Sequence, residues 1–569
     1  MPTLKVGYRD LCDMIGKELP LDTLSDRLFM MKCGVEGVHG DELLLEVTSD
    51  RPDLLCSEGI ARELRGLLGF ERGLPKYKVA KGDLTIHVDE SIRNIRPYIA
   101  GAVIRGLKLT DDAVRQIMQL QEKLHMTYCR NRTKVSVGIH DSDKVTHRLT
   151  YAAIPPEKIR FTPLDEEREM NGYEILESTP KGKEYGWIIK SFKAYPLLYD
   201  SEGKVLSMPP IINGVITQVT PETENLLLDV TGTDMKLVNF VNNIIATSLA
   251  ERGGLIESAR IIYGRSKVQT PDLKPNIMKL NIPYVNSTLG LNLTAKKVAA
   301  LLRRMRYNVK VNSDKRVTVF IPAYRADVIH EIDLVEDVAI AYGYNKLEPL
   351  TPSTSTIGSE REITRLARKM RDLMCSLGYL EVINYIMTDK ASLSEKMNLP
   401  PQEVVEVANP LSIDFAALRN WLLPGLLNFL TYNKHVSYPQ RIFECGDVVH
   451  IDRNKPTMTD TRRRLGAVSC DYKVSYEEVQ AAVYSVFKNI GLEGWSVERC
   501  EHPSFIRGRV ASIILLGREI GLLGEIHPQV LENFGIENPV AAFELDLSSL
   551  TEVTCNSKEP SSQIGSRTS

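Results

Sequence analysis

Asp333, Glu336 and Asp337 stand three and four residues apart within YRADVIHEIDLVEDVA (324–339), which places them together on one face of a helix. Ile332, Val335, Val338 and Ala339 take the other face, and Asp327 precedes the helix closely enough to fold back onto the acidic side. Carboxylates gathered in this way repel each other unless a cation compensates. Hard oxygen donors without cysteine or histidine suit Mg²⁺, so magnesium binding is the chemistry expected of Asp327, Asp333, Glu336 and Asp337. A plainer reading is that acids favour the start of a helix, with Arg325 as their counter-ion. The residue types alone leave both readings open.

A second group of polar residues lies at sharp bends. In AYPLLYDSEGKVLSMPPIINGVITQV (194–219), Pro209-Pro210 and Asn213-Gly214 punctuate the chain and put Ser207 and Asn213 on a tightly defined loop. LLLDVTGTD (226–234) then ends an apolar strand with a carboxylate and hydroxyls at a bend. No Ser-His-Asp or Cys-His set is evident here, so any hydrolysis would rest on a positioned water and polar stabilisation. Thr233 and Asp234 have a second reading, since such residues at a strand end commonly cap the next helix.

These groups need elements to hold them, and the pattern predicts an α+β multidomain protein. Residues 1–80 read as a small mixed unit, with a strand over 41–47 and a helix over 57–68 capped by Ser57. Residues 85–260 alternate in strand-like fashion around helices at 112–126 and 235–252, which suits an α+β domain large enough for a pocket. The stretch 265–276 reads as a polar connector, and 270–350 as a small unit of helices and a hairpin. Residues 355–550 form a larger α+β domain opening with a helix that Gly378 stops; 551–569 read as a disordered polar tail.

With 569 residues the chain is too long for one core. Lysine and arginine number 71 against 73 acids, so a dedicated nucleic-acid binder is disfavoured and any RNA contact should be local or shared with a partner. Nine cysteines without a Cys-x-x-Cys pair argue for reduced thiols in a cytoplasm, and no run approaches a membrane span or a signal peptide.

Three regions, in order, resemble the beta subunits of phenylalanyl-tRNA synthetases of the archaeal and eukaryotic type. The acidic helix matches R-x-D-x-x-x-x-x-D-L-V-E-D/E-V-A before Gly-Tyr, through Arg325, Asp327, Asp333–Ala339, Gly343 and Tyr344. NPLS (409–412), LRNWLLPGLL (418–427) and RIFECGDVV (441–449) are similar to the family's copy of the class II synthetase fold, an antiparallel sheet flanked by helices. The segments 194–219 and 226–234 resemble its editing domain, with support from 49–66, 120–141 and 180–186. The tail has no counterpart, and the role of the N-terminal unit is not apparent.

The resemblance implies a ligase subunit that pairs with a catalytic alpha subunit, two of each, acts on tRNA(Phe) and spans no membrane. ATP would be bound by the alpha partner, and magnesium by the acidic helix at the subunit contact. It further implies a pocket lined by Leu198, Ser207, Asp229 and Thr231, with Asn213, Gly214 and Thr233 as weaker members, that hydrolyses mischarged Tyr-tRNA(Phe). A phenylalanine pocket rejects an added hydroxyl by only about 10², so such a second site is needed. The class II-like domain should be inactive: VAAFELDLSSL (540–550) lacks the Gly-rich motif, and no arginine occurs between Arg518 and Arg567 to grip a phosphate. The alternative is a stand-alone aminoacyl-tRNA editing hydrolase, which leaves most of the chain unexplained.

Overall fold

The computed structural model describes residues 2–351 and 356–556. The chain is mixed α+β with several sheets and divides into two compact units after Thr351. Among the described residues, no helix is long and apolar enough to cross a membrane.

The first unit opens with a three-stranded antiparallel sheet in which Glu42–Val47 lies between Thr3–Gly7 and Cys33–His39. Leu43, Leu45 and Val47 alternate inward, as a strand with one buried face requires. The helix Ser57–Leu68 packs Ile60, Ala61, Leu64 and Leu67 into the core. Its cap is Cys56 rather than the expected Ser57: the Gly59 N–H donates to Cys56 Sγ at 3.4 Å, and Ser57 Oγ turns to Gln116 instead.

A long sheet follows. From one edge it runs Ile212–Asn213, Val205–Met208, Tyr195–Asp200, Arg148–Ile154, Val79–Val88, Leu255–Tyr263, Tyr98–Arg105, Leu226–Gly232 and Val135–Asp141. Ser266–Thr270 adds to Leu255–Tyr263, so the first half of the expected connector is a strand. Helix Asp111–Met126 is capped by Thr110, and helix Met235–Glu251 by Asp234. The second of these packs on Tyr98–Arg105 and Leu226–Gly232. A further three-stranded sheet, Asn276–Asn281, Arg316–Ile321 and Asn308–Ser313, carries the helices Ile282–Leu289, Ala295–Arg304 and Glu331–Tyr342.

One continuous hydrophobic cluster runs from Leu4 to Ala341 and joins these pieces, and the long sheet has two further clusters of its own, around Tyr151 and Leu198 and around Phe161 and Tyr195. The joints are close. A Cβ on Gly66 would lie 2.3 Å from the Arg304 carbonyl oxygen, so glycine lets helix Ser57–Leu68 cross the end of helix Ala295–Arg304.

In the second unit seven strands form one sheet, in the order Leu380–Glu381, Gln440–Ile451, Thr459–Cys470, Val540–Asp546, Arg518–Ile526, Phe505–Leu515 and Trp495–Arg499. Only the first pair is parallel. Alternate residues feed two cores. Phe443, Leu465 and Phe543 join helices Glu362–Ser376 and Tyr476–Ile490, while Ile442, Val468 and Ala542 join Leu423–Tyr432 and Pro528–Phe534. Gly378, at φ 83°, follows the first of these helices as expected. Helix Leu547–Asn556 occupies the first residues of the expected tail, and 557–569 lie outside the described residues.

Candidate functional site

The long sheet curls until its two ends meet. Ser207 sits in the second strand from one edge and Asp229 in the second from the other, yet the Ser207 hydroxyl donates to Asp229 Oδ2 at 2.9 Å. At this closure lies a cavity of about 110 Å³. Asp229, Ser136 and Gly138 wall one side, Ser207 and the 209–213 loop the other, and Gln121 and Glu122 reach in from helix Asp111–Met126.

Asp229 is buried and shared. Its Oδ2 also faces His140 Nε2 at 2.8 Å, and His140 Nδ1 faces Thr217 Oγ1 at 2.8 Å. Gly138 lies opposite Asp229 in the neighbouring strand, where a Cβ would fall 2.4 Å from Asp229 Oδ2 and 2.6 Å from His140 Nε2. Only glycine leaves room for that contact. A serine, a histidine and an aspartate therefore do come together, contrary to the reading of the sequence, but the carboxylate stands in the middle. Ser207 donates to the carboxylate and does not reach the imidazole, so the set forms a polar wall and lacks the serine–histidine contact of a nucleophilic triad.

Arg132 fixes the mouth. Its guanidinium donates to the carbonyls of Pro210 at 3.3 Å and Ile211 at 2.9 Å, and to Glu122 at 2.8 Å, while stacking over Tyr185. It ends a run of three left-handed residues, Arg130, Asn131 and Arg132, at φ 50°, 49° and 64°. Non-glycine residues reach that conformation at a cost of roughly 1–2 kcal/mol each, which these contacts must offset. Burial opposes ionisation of Glu122, but the approach of His125 Nδ1 at 3.5 Å and the charge of Arg132 hold its carboxyl down at about 2. Burial also pushes His125 down to about 4, and Arg96, which faces Thr231, down to about 10.

The expected pocket residues divide. Ser207, Asn213 and Asp229 line the cavity. Leu198 pairs with Ser207 in the adjacent strand and packs in a hydrophobic core. Thr231 stands behind the wall, 2.9 Å from Ser136 Oγ and accepting from Arg96 Nε at 3.1 Å. Thr233 is exposed, and its neighbour Asp234 caps the helix. Gly214 holds the loop turn, its N–H donating to the Leu206 carbonyl at 2.7 Å. His140, Gly138 and Arg132 were not singled out by sequence, though the alternation in TKVSVGIH puts Ser136, Gly138 and His140 on one strand face.

The four acids expected to hold magnesium do not converge. Arg325 donates to Asp327 at 2.8 and 2.7 Å and to Asp337 at 2.7 Å, and the Tyr307 hydroxyl also donates to Asp337. Asp333 accepts from the backbone N–H groups of Ile329 and His330, both at 2.7 Å, and Glu336 pairs with Lys32 at 2.9 Å. Burial opposes ionisation of Asp327, yet the Arg325 charge holds its carboxyl at about 2. Arginine, lysine and backbone amides already supply the positive charge. Among the described residues, no group of three or more histidines, cysteines or acids is placed to hold a metal ion. As arranged in this chain, the donor set does not fit magnesium.

In the second unit, Glu444, Gly446, Arg464, Gly466 and Glu544 share one face of the sheet by register. Arg419 closes on Glu444 at 2.7 Å and Arg464 on Glu544 at 2.8 Å, so both cations are neutralised within the face. Glu544 also accepts from the N–H groups of Leu422 and Leu423, anchoring the start of helix Leu423–Tyr432. Beside this lies an exposed apolar surface. Ile383, Tyr385, Phe415 and Tyr432 border a groove of about 470 Å³, with Leu411 and Ile413 also exposed nearby in the chain.

Comparison with known proteins places these features. Residues 347–547 match the family described as the phenylalanyl tRNA synthetase beta chain CLM domain, and 278–344 match the tRNA synthetase B5 domain. A phenylalanine–tRNA ligase beta subunit from Thermococcus sibiricus is 42% identical over 553 residues, covering 96% of this chain and 98% of that one. Its counterpart from Pyrococcus furiosus is 42% identical over 556 residues, covering 97% and 100%. The crystal structure of an N-terminal fragment of the beta subunit from Pyrococcus horikoshii superposes with a TM-score of 0.59 at 41% identity, covering 60% of this chain and all of the fragment. Shared over nearly its whole length, these similarities establish that the chain belongs to the phenylalanine–tRNA ligase beta subunits.

Proposed function

We propose that the cavity at the closure of the long sheet hydrolyses tRNA(Phe) mischarged with tyrosine, while the second unit docks the catalytic alpha subunit. The observation that carries this reading is the Ser207–Asp229 pair, braced from behind by His140, in the wall of a small half-open cavity. A tyrosine side chain brings one hydroxyl that phenylalanine lacks, and a wall able to pair with it discriminates far better than apolar fit. Hydrolysis adds water to the ester carbonyl and releases the ribose oxygen. No side chain here is placed as a nucleophile, so a positioned water and the tRNA's own terminal ribose serve the reaction.

Amino-acid activation, with its ATP and magnesium, belongs in this reading to the alpha partner in a cytoplasmic assembly of two alpha and two beta subunits. The self-neutralised Arg419–Glu444 and Arg464–Glu544 pairs support an inactive class II-like domain, since adenylate chemistry needs cations free to meet phosphate. The exposed surface around Ile383 and Tyr385 favours a docking subunit over a stand-alone hydrolase.

Asp229→Asn tests the reading in the assembled enzyme, because it keeps the side-chain shape and removes the charge. Phe-tRNA synthesis should persist, while the ratio of Tyr-tRNA to Phe-tRNA hydrolysis falls at least about tenfold, equivalent to ~1.4 kcal/mol. An unchanged ratio places the discriminating site elsewhere.

A further inference from the structure

The strand Asn276–Asn281 pairs with another strand along one side only, with Arg316–Ile321, and forms one edge of its three-stranded sheet; at the end of its other side the Asn281 N–H donates to Glu331 at 3.5 Å. Proteins usually blunt or cover such an edge, because its free N–H and C=O groups are a template for another chain. Here a groove of about 400 Å³ opens against it instead. Ile277 and Ile329 line the groove while 66% and 68% exposed.

Two further observations give the groove a chemistry. Asn243, only 5% exposed, reaches it from helix Met235–Glu251. Its Nδ2 donates to the Asp272 carbonyl at 2.9 Å, but its Oδ1 is buried with no partner and is left needing an N–H donor. Lys236 and Lys274 line the groove, Lys279 lies exposed on the strand, and none of the three is ion-paired among the described residues. The one acid in the lining, Asp272, is occupied by the backbone N–H of Lys274.

We propose that this edge docks an extended, acidic segment of a partner polypeptide, added as a further strand beside Asn276–Asn281. Its backbone pairs with the open edge, an apolar side chain covers Ile277 and Ile329, and its carboxylates meet Lys236 and Lys274. An RNA strand would satisfy the lysines but not the alternating donors and acceptors of a strand edge, which only another main chain matches.

The experiment uses the full chain and an end-blocked octapeptide of alternating glutamate and valine, with a lysine–valine octapeptide as control. Fluorescence anisotropy should show saturable binding of the acidic peptide alone, and hydrogen exchange should slow at residues 276–281. In the variant K274E/I277E, both exposed positions, affinity should fall at least about tenfold. K274E alone, on the connecting segment, carries the test if the double variant misfolds. Equal binding of the lysine peptide, unchanged affinity in the variants, or protection elsewhere would overturn the proposal. So would protection that rises with protein concentration without peptide, since the occupant is then a second copy.

Discussion

Gly138 decides whether Asp229 and His140 can meet, because the space a Cβ needs is already filled by their polar atoms. Gly138→Ala should therefore cost about 1–3 kcal/mol in urea unfolding and, more tellingly, reduce Tyr-tRNA hydrolysis while Phe-tRNA synthesis continues. His125 makes a second residue-scale prediction. Its Nε2 accepts from the Val137 N–H at 2.9 Å, a bond that protonation would break. In the unfolded chain a histidine takes up its proton near 6.5, whereas folded His125 waits until about 4. The unfolded state thus binds the proton first, and stability falls as pH drops through that window, by up to about 3 kcal/mol. His125→Gln, which can still accept from Val137, should flatten that part of the pH–stability curve. Ser207 and Asp229 were pointed to by the family resemblance, and they lie within strands Val205–Met208 and Leu226–Gly232 rather than on the loop and bend that the sequence suggested. His140 and Arg132 were not legible, because their roles arise only when distant strands and a loop are brought together.

At the scale of single elements, the helix Glu331–Tyr342 is tied to its surroundings by charge. Asp337 accepts from both Arg325 and Tyr307, all three being buried, so Asp337→Asn removes one of the two carboxylates that compensate Arg325 and leaves Asp327 as the other. Thermal unfolding of the isolated chain should shift down by a few degrees in this variant, a loss of about 1–3 kcal/mol for the weakened buried hydrogen bonds. Removing divalent ions with EDTA should leave the parent's transition in place. The acids of this helix were plain in the sequence, but their partners Tyr307 and Lys32 come from remote segments. Helices such as Ser57–Leu68, Asp111–Met126 and Glu362–Ser376 were legible from an apolar stripe at helical spacing, whereas Tyr8–Ile15, Leu21–Met30 and Tyr476–Ile490 were not read and Leu547–Asn556 runs into the expected tail. The strand Ser266–Thr270 was not: four of its five residues are exposed, and a strand with no buried face shows no alternation.

For the molecule as a whole, apolar periodicity shows which residues are buried but not which of them share a core. In the first 351 residues one large cluster links the three expected units, while two smaller clusters lie beside the long sheet alone. The second unit poses a different problem. Ile383 and Tyr385 are 88% and 78% exposed, beside Phe415 and Tyr432. Expressed alone, the chain should associate non-specifically, and Ile383→Asp with Tyr385→Asp should relieve this in gel filtration. The same pair should weaken assembly with an alpha subunit by at least about tenfold, as loss of a central apolar anchor does. Retained assembly would move the docking surface to another face.

The closure of the long sheet has a consequence in time. Asp229 lies 89 residues from His140 and 22 from Ser207, and the cavity exists only once strands from both ends of the sheet have found one another. Contacts across such separations are slow to form, because the intervening chain must be ordered first. The proposed hydrolytic site is therefore among the last parts of this unit to mature and among the first to be lost. A partly folded or destabilised chain that still docks its partner makes a ligase that charges tRNA without checking it, so misreading of the genetic code would appear before any loss of protein synthesis.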